Sequence, residues 1–210
     1  MPATTPGASA SARTHSVLRW SRRIFLAIGF LSLGYCAFVL IDARIYQANQ
    51  ARLFQEQQND QKLAAVSSDA LREPSFHPAV GDAVGQLAIS RIGVAAMVLE
   101  GTDDETLWQA VGHITGTALP GQHGNVGFAG HRDTFFRALR NIRQDDEITV
   151  TTINAAYRYR VDSTRVVGPD DIQVLNNSGD DVLTLVTCYP FYFVGPAPRR
   201  FIVRAQQIPR

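Results

Sequence analysis

The sequence predicts an all-β domain, a closed barrel or sandwich of about 130 residues, with an apolar anchor ahead of it. Three observations carry this. From about Ala79 the chain breaks into short β-branched segments separated by Gly, Pro, Asn and Asp. Only two short helical patterns interrupt them, and the uncharged run lies entirely before them.

The predicted strands are 86–92, 96–100, 125–129, 147–152, 156–167, 181–187 and 200–205. The helical patterns are 104–110, with Thr102 or Asp103 as N-cap, and 134–142, with Asp133 or Thr134 as cap. The 181–187 run is almost continuously apolar, which reads as a strand buried on both faces. No internal repeat is seen.

Residues 24–41 (IFLAIGFLSLGYCAFVLI) carry no charge over 18 positions. As a helix they reach roughly 27 Å, close to a hydrocarbon core of about 30 Å. Trp20 sits where an interfacial aromatic belongs, and Arg13, Arg19, Arg22 and Arg23 precede or open the run. The reading is a single-pass transmembrane helix at 24–41, with a cytoplasmic tail at 1–23 and the remainder outside the cytoplasm. A cleaved leader is the competing reading, and the charged Asp42-Ala43-Arg44 makes a poor cleavage site for it. Residues 42–77 read as a helical stalk, rich in Ala and Gln and broken by Pro74. The catalytic or binding domain is then 78–210.

Charge excludes one class of partner. From His77 onward the chain has 12 Arg, no Lys and 14 Asp plus Glu, a net of −2. A slightly acidic domain is a poor match for a phosphate backbone, so no nucleic acid is expected. Two cysteines exist, Cys36 in the apolar run and Cys188 in the domain, so no disulfide framework forms. A lone thiol in an exported domain calls for a reason, and catalysis supplies one.

Cys188 ends the apolar run at 181–187, and Tyr189-Pro190 stops the strand. His131 follows Asn125-Val-Gly-Phe-Ala-Gly130 at a strand-to-helix junction, where Gly130 leaves room for close approach. A His beside a thiol favours the thiolate and can supply a proton to a leaving amine. Arg199 and Arg200 open the last strand, and a guanidinium there can steady an oxyanion. Taken singly, each residue has a structural alternative: a core Cys, a loop His, a solvated Arg.

Together these segments resemble the sortase family, class D most of all. Thr187-Cys188-Tyr189 through Arg200-Phe201 looks like its cysteine motif, and Gly130-His131-Arg132-Asp133-Thr134 like its histidine motif. Gly112-His113 through Gly121 looks like the segment that precedes them. The resemblance implies an eight-stranded sortase-type β-barrel and a cysteine transpeptidase. It would cleave a Leu-Pro-x-Thr-Gly-like sorting signal after Thr and pass the acyl group to an amine. Cys188 would be the nucleophile, His131 the general acid and base, and Arg200 the substrate and oxyanion ligand, with Arg199 as its alternative. Thr187, Gly130 and Tyr189 would line the substrate site. The implied partners are secreted proteins with a C-terminal sorting signal, and an amine on a cell-wall precursor or another protein. A pilin polymerase is a second enzyme reading, and a membrane-tethered scaffold that keeps the barrel is the competitor outside catalysis.

His113 and His123 fall outside the histidine motif and read as structural or rim residues. The clusters Asp103-Asp104-Glu105, Asp145-Asp146-Glu147 and Asp170-Asp171 read as caps and turns. No EF-hand, zinc-ligand, phosphate-loop or serine-elbow spacing occurs, so neither metal nor cofactor is expected.

Overall fold

A computed structural model describes residues 78–209 except Ser178 and Val194, together with Trp20, residues 22–35 and a few positions between 41 and 56. The chain divides into two compact units, Met1–Ile45 and Tyr46–Arg210. In the first, residues 22–35 form helix α1, whose side chains are all exposed. Residues 36–40 of the expected membrane span lie outside the described residues, as do the 1–19 tail and most of the 42–77 stalk. Among the described residues no helix is long and apolar enough to cross a membrane.

The second unit is a closed barrel of eight strands in the order β1-β2-β3-β4-β7-β8-β6-β5. The strands are β1 (Ala83–Ile89), β2 (Val94–Glu100), β3 (Val111–His113), β4 (Asn125–Ala129), β5 (Glu147–Thr151), β6 (Ala156–Val167), β7 (Val182–Tyr189) and β8 (Arg199–Gln207). A 3₁₀ turn at Ser90–Ile92, closed by Gly93 at φ 68°, cuts short the strand expected to run to 92. Helix α2 (Asp104–Gln109) carries the chain from β2 to its parallel neighbour β3.

Alternation fills the barrel. Leu87, Ile89, Val126, Phe128, Ile148, Val150, Tyr159, Val161, Leu183, Leu185, Val203 and Ala205 are buried and pack in one cluster. Each large side chain so buried contributes about 1.5–3 kcal/mol. β7 is buried on its other face too, as its composition predicts. Thr184 Oγ1 donates to Asn125 Oδ1 at 2.7 Å, and Asn125 Nδ2 donates to Val174 O at 3.0 Å, in the 3₁₀ turn Ile172–Leu175.

Two acidic clusters do serve caps and turns. Asp103 caps α2, accepting from Thr106 N–H at 3.0 Å, and that bond holds its carboxyl below the ordinary range. Asp146 is buried, pairs with the Arg91 guanidinium and accepts from Arg143 N–H at 2.7 Å. The Arg91 bond, foremost, depresses its pKa below the ordinary 3.8. A depressed carboxylate contributes stability that is present above its unfolded pKa and lost as pH falls through the folded one. The gap in melting temperature between the wild type and Asp146→Asn is therefore expected to be largest above about pH 5 and to shrink below about pH 4. A gap independent of pH would contradict this.

Candidate active site

The strand order places β4, β7 and β8 side by side. β4 and β7 run parallel with Asn125 beside Val182 and Ala129 beside Val186. Gly130, the next residue, still lies beside β7, and His131 follows it at the end of the sheet where Cys188 stands. Two bonds continue the pairing past the end of β4: Gly130 N–H donates to Val186 O at 3.2 Å, and Thr187 Oγ1 donates to Gly130 O at 2.7 Å. On the other side, β7 and β8 are antiparallel and Cys188 directly opposes Arg200. Cys188 and Arg200 thus stand side by side on strands about 4.8 Å apart, and His131, two residues past the end of β4, completes a row at this end of the barrel.

Facing matters as much as proximity. Directly opposed residues on antiparallel strands share a face, so Arg200 stands on the face of Cys188. Arg199 opposes Tyr189, one position on, and takes the other face. Leu183 and Leu185 point into the barrel, and alternation therefore turns Cys188 outward. Its free thiol is half-buried, as are His131 and Arg200. Arg200 Nη1 rests on Ala197 O at 3.2 Å and Arg199 O at 3.1 Å.

Three residues expected to line the substrate site make packing or hydrogen-bond contacts of their own. Thr187 is buried, and its hydroxyl is spent on Gly130 O rather than on the thiol. Gly130 does permit a close approach, but by the Phe136 ring: a Cβ there would stand 2.9 Å from Phe136 Cδ2. Tyr189 leaves the face of Cys188 and packs with Phe201 and Phe191, at centroid distances of 6.3 and 6.0 Å. All three contribute contacts to the framework of the row.

The cap expected at Asp133 or Thr134 is also corrected. The helical segment after His131 is a 3₁₀ turn, Arg137–Asn141, preceded by Phe136 with no side-chain cap. Its buried residues Phe136 and Leu139 are three apart, a spacing that suits three residues per turn as well as an α-helix.

His113 is buried and structural. Its Nδ1 lies 2.5 Å from Glu100 Oε2, and its Nε2 lies 3.0 Å from Ala118 O. His123 is exposed at the rim beside Asp181, whose carboxyl is held low mainly by Gly124 N–H. Two residues at the site escaped the sequence reading. Trp108, on α2, is 62% exposed, yet its ring meets His131 edge-on at 6.0 Å between centroids. Arg132, next to His131, is buried. A Trp in a six-residue helix carries no sequence signal for such a position, whereas Arg132 stands in the histidine motif, which does not show its burial.

A thiol, an imidazole and a guanidinium in one row can perform acyl transfer through a thioester. Known proteins agree with this chemistry. The sortase domain family model matches residues 87–208. Sortase D of Bacillus subtilis is 31% identical over 188 residues, covering 87% of this chain and 95% of that protein. The Clostridium perfringens Sortase D5 transpeptidase superposes with a TM-score of 0.62 at 29% identity, covering 75% of this chain and 95% of that one. Sortase A from Corynebacterium diphtheriae superposes at 0.59 with 32% identity, covering 63% of each chain. The chain belongs to the sortase family, transpeptidases with a cysteine active site that serve cell-wall sorting.

Proposed function

We propose that this protein cleaves a Leu-Pro-x-Thr-Gly-like sorting signal after Thr and joins the freed carboxyl to an amine of the cell envelope. The row His131–Cys188–Arg200 across β4, β7 and β8 carries the reading. Cys188 Sγ attacks the Thr carbonyl carbon, and the carbonyl electrons move to oxygen. Arg200 donates to that oxyanion. When the tetrahedral intermediate collapses, the C–N bond breaks and His131 gives its proton to the departing amine. A thioester remains on Cys188. A second amine attacks it, His131 takes the amine's proton, and Cys188 leaves as thiolate.

Residues 24–41 would anchor the chain in the cell membrane as a single pass. The Arg cluster would keep residues 1–23 in the cytoplasm, and the 42–77 stalk would hold the 78–210 domain outside it. The clients would be secreted proteins bearing the signal at their C-terminus. The acceptor would be an amine on a cell-wall precursor or on another protein.

Incubating the full chain with a sorting-signal peptide and a small primary amine is expected to release the residues after Thr and yield a Thr-amide adduct. Mass spectrometry reads both products. An intact peptide, or cleavage at another bond, would overturn the reading.

A further inference from the structure

Arg132 is only 7% exposed, although its guanidinium presents five N–H donors. A charge in such a place persists only where other groups replace its water. Asp133 offers little: its Oδ1 lies 3.5 Å from Nε, and its side chain is 74% exposed. The main partners are carbonyls. Nη1 donates to Pro190 O at 3.0 Å, and Nη2 donates to Phe193 O at 2.7 Å and Gly195 O at 3.0 Å. The guanidinium carbon also stands 6.0 Å from the Phe193 ring centre.

All three carbonyls belong to the segment between β7 and β8, which joins Cys188 to Arg200. Phe191 ties the start of that segment to Phe201 and Tyr189, and few backbone bonds hold the rest among the described residues. Pro190, Pro196 and Pro198 contribute no N–H, and the Phe193 N–H bond to Pro190 O is long at 3.3 Å. A second Arg after His131 reaches the same segment: Arg140 Nη1 donates to Tyr192 Oη at 3.3 Å, beneath the ring at 5.7 Å.

We propose that Arg132 is the positioning residue of the site. Its guanidinium fastens the loop between Cys188 and Arg200 to the turn that carries His131, a tie that the strand pairing alone does not supply. The proposal rests on the reading that these three residues perform the chemistry; Arg132 itself acts through the loop and the turn. A guanidinium suits the task because its fork presents two donor nitrogens in fixed directions, whereas a Lys ammonium is a single point on a flexible stem.

The test compares Arg132→Met and Arg132→Lys with the wild type in the full chain. Hydrogen exchange of peptides spanning residues 190–198 reads the loop. Peptide turnover, normalised to the Cys188 labelled by a thiol probe and quantified by peptide mapping apart from Cys36, reads kcat and KM. For Arg132→Met, loop exchange is expected to rise at least tenfold while β1, β2 and β5 keep their protection. Its kcat per reactive thiol should fall about 100-fold with KM changed less than about threefold, an orientation effect of the size a small misplacement produces. Arg132→Lys should recover about tenfold of the loss. A residue that merely stabilised the fold would lower the folded fraction and leave kcat per thiol unchanged. Unchanged loop exchange, or kcat per thiol within threefold of the wild type in both variants, would overturn the proposal. If Arg132→Met does not fold, Arg132→Lys decides by the same readings, with a tenfold lower kcat expected. A wild type that fails to cleave the peptide would strike the functional reading alone, and loop exchange would still judge the clamp.

Discussion

Replacing Cys188 with Ala is expected to lower sorting-peptide turnover at least about 10⁴-fold, because no other group on the row can form an acyl intermediate. Among the described residues Cys188 is the free thiol, and it lies near the end of β7, between β4, which leads to His131, and β8, which carries Arg200. The fold should survive. Cys188 is half-buried, turned away from the core cluster of Leu183 and Leu185, and the substitution removes one sulfur. A cost within about 1 kcal/mol is expected, as for other small changes away from a packed core. Circular dichroism and a melting curve separate the two effects: an unfolded variant would void the comparison, whereas a folded and fully active one would remove Cys188 from the chemistry.

The second large effect divides two neighbours. Arg200→Ala is expected to lower kcat about 10²–10³-fold, the loss typical of one oxyanion donor. Arg199→Ala should stay within about threefold. Both are Arg, adjacent and at the start of β8, so composition and net charge change identically. Only facing differs: Arg200 opposes Cys188 and Arg199 opposes Tyr189. Arg200→Lys should recover little, since an ammonium lacks the planar fork. Equal losses at both positions would mean that the guanidinium acts through general charge rather than through its place in the register.

Much of this arrangement was legible because the relevant signals are local. β4 and β6 begin and end where the sequence predicts, β8 extends slightly beyond, and β7 is shifted by one residue at its start and two at its end, since Gly, Asn, Asp and Pro mark their ends. β3 was not legible. Val111-Gly112-His113 offers three residues, one of them a glycine, and it is a strand only because β2 and β4 flank it. Gly112 serves that packing, since a Cβ there would stand 2.2 Å from Gly101 O.

The site divides along the same line. Cys188 and Arg200 are joined by one connection between successive strands, so their opposition follows once β7 and β8 pair. His131 reaches them through the parallel β4–β7 pairing, and no short-range pattern encodes that. The substrate-lining roles of Thr187, Gly130 and Tyr189 are implied by the resemblance, whereas their contacts follow from the fold. Alternation along β7 turns Thr187 and Tyr189 to the opposite face from Cys188, and Phe136 occupies the space beside Gly130. Trp108 reaches His131 from the crossover helix between β2 and β3, a contact that depends on the closed barrel rather than on any motif.

The most direct measurement is the intact mass of the protein after brief exposure to a sorting-signal peptide without added amine. A thioester at Cys188 predicts an added mass equal to the peptide through Thr, less one water. Neutral hydroxylamine should remove it, peptide mapping should locate it at Cys188, and Cys188→Ala should lack it. Peptide cleavage with the adduct on another residue, or at an undiminished rate in Cys188→Ala, would contradict the mechanism.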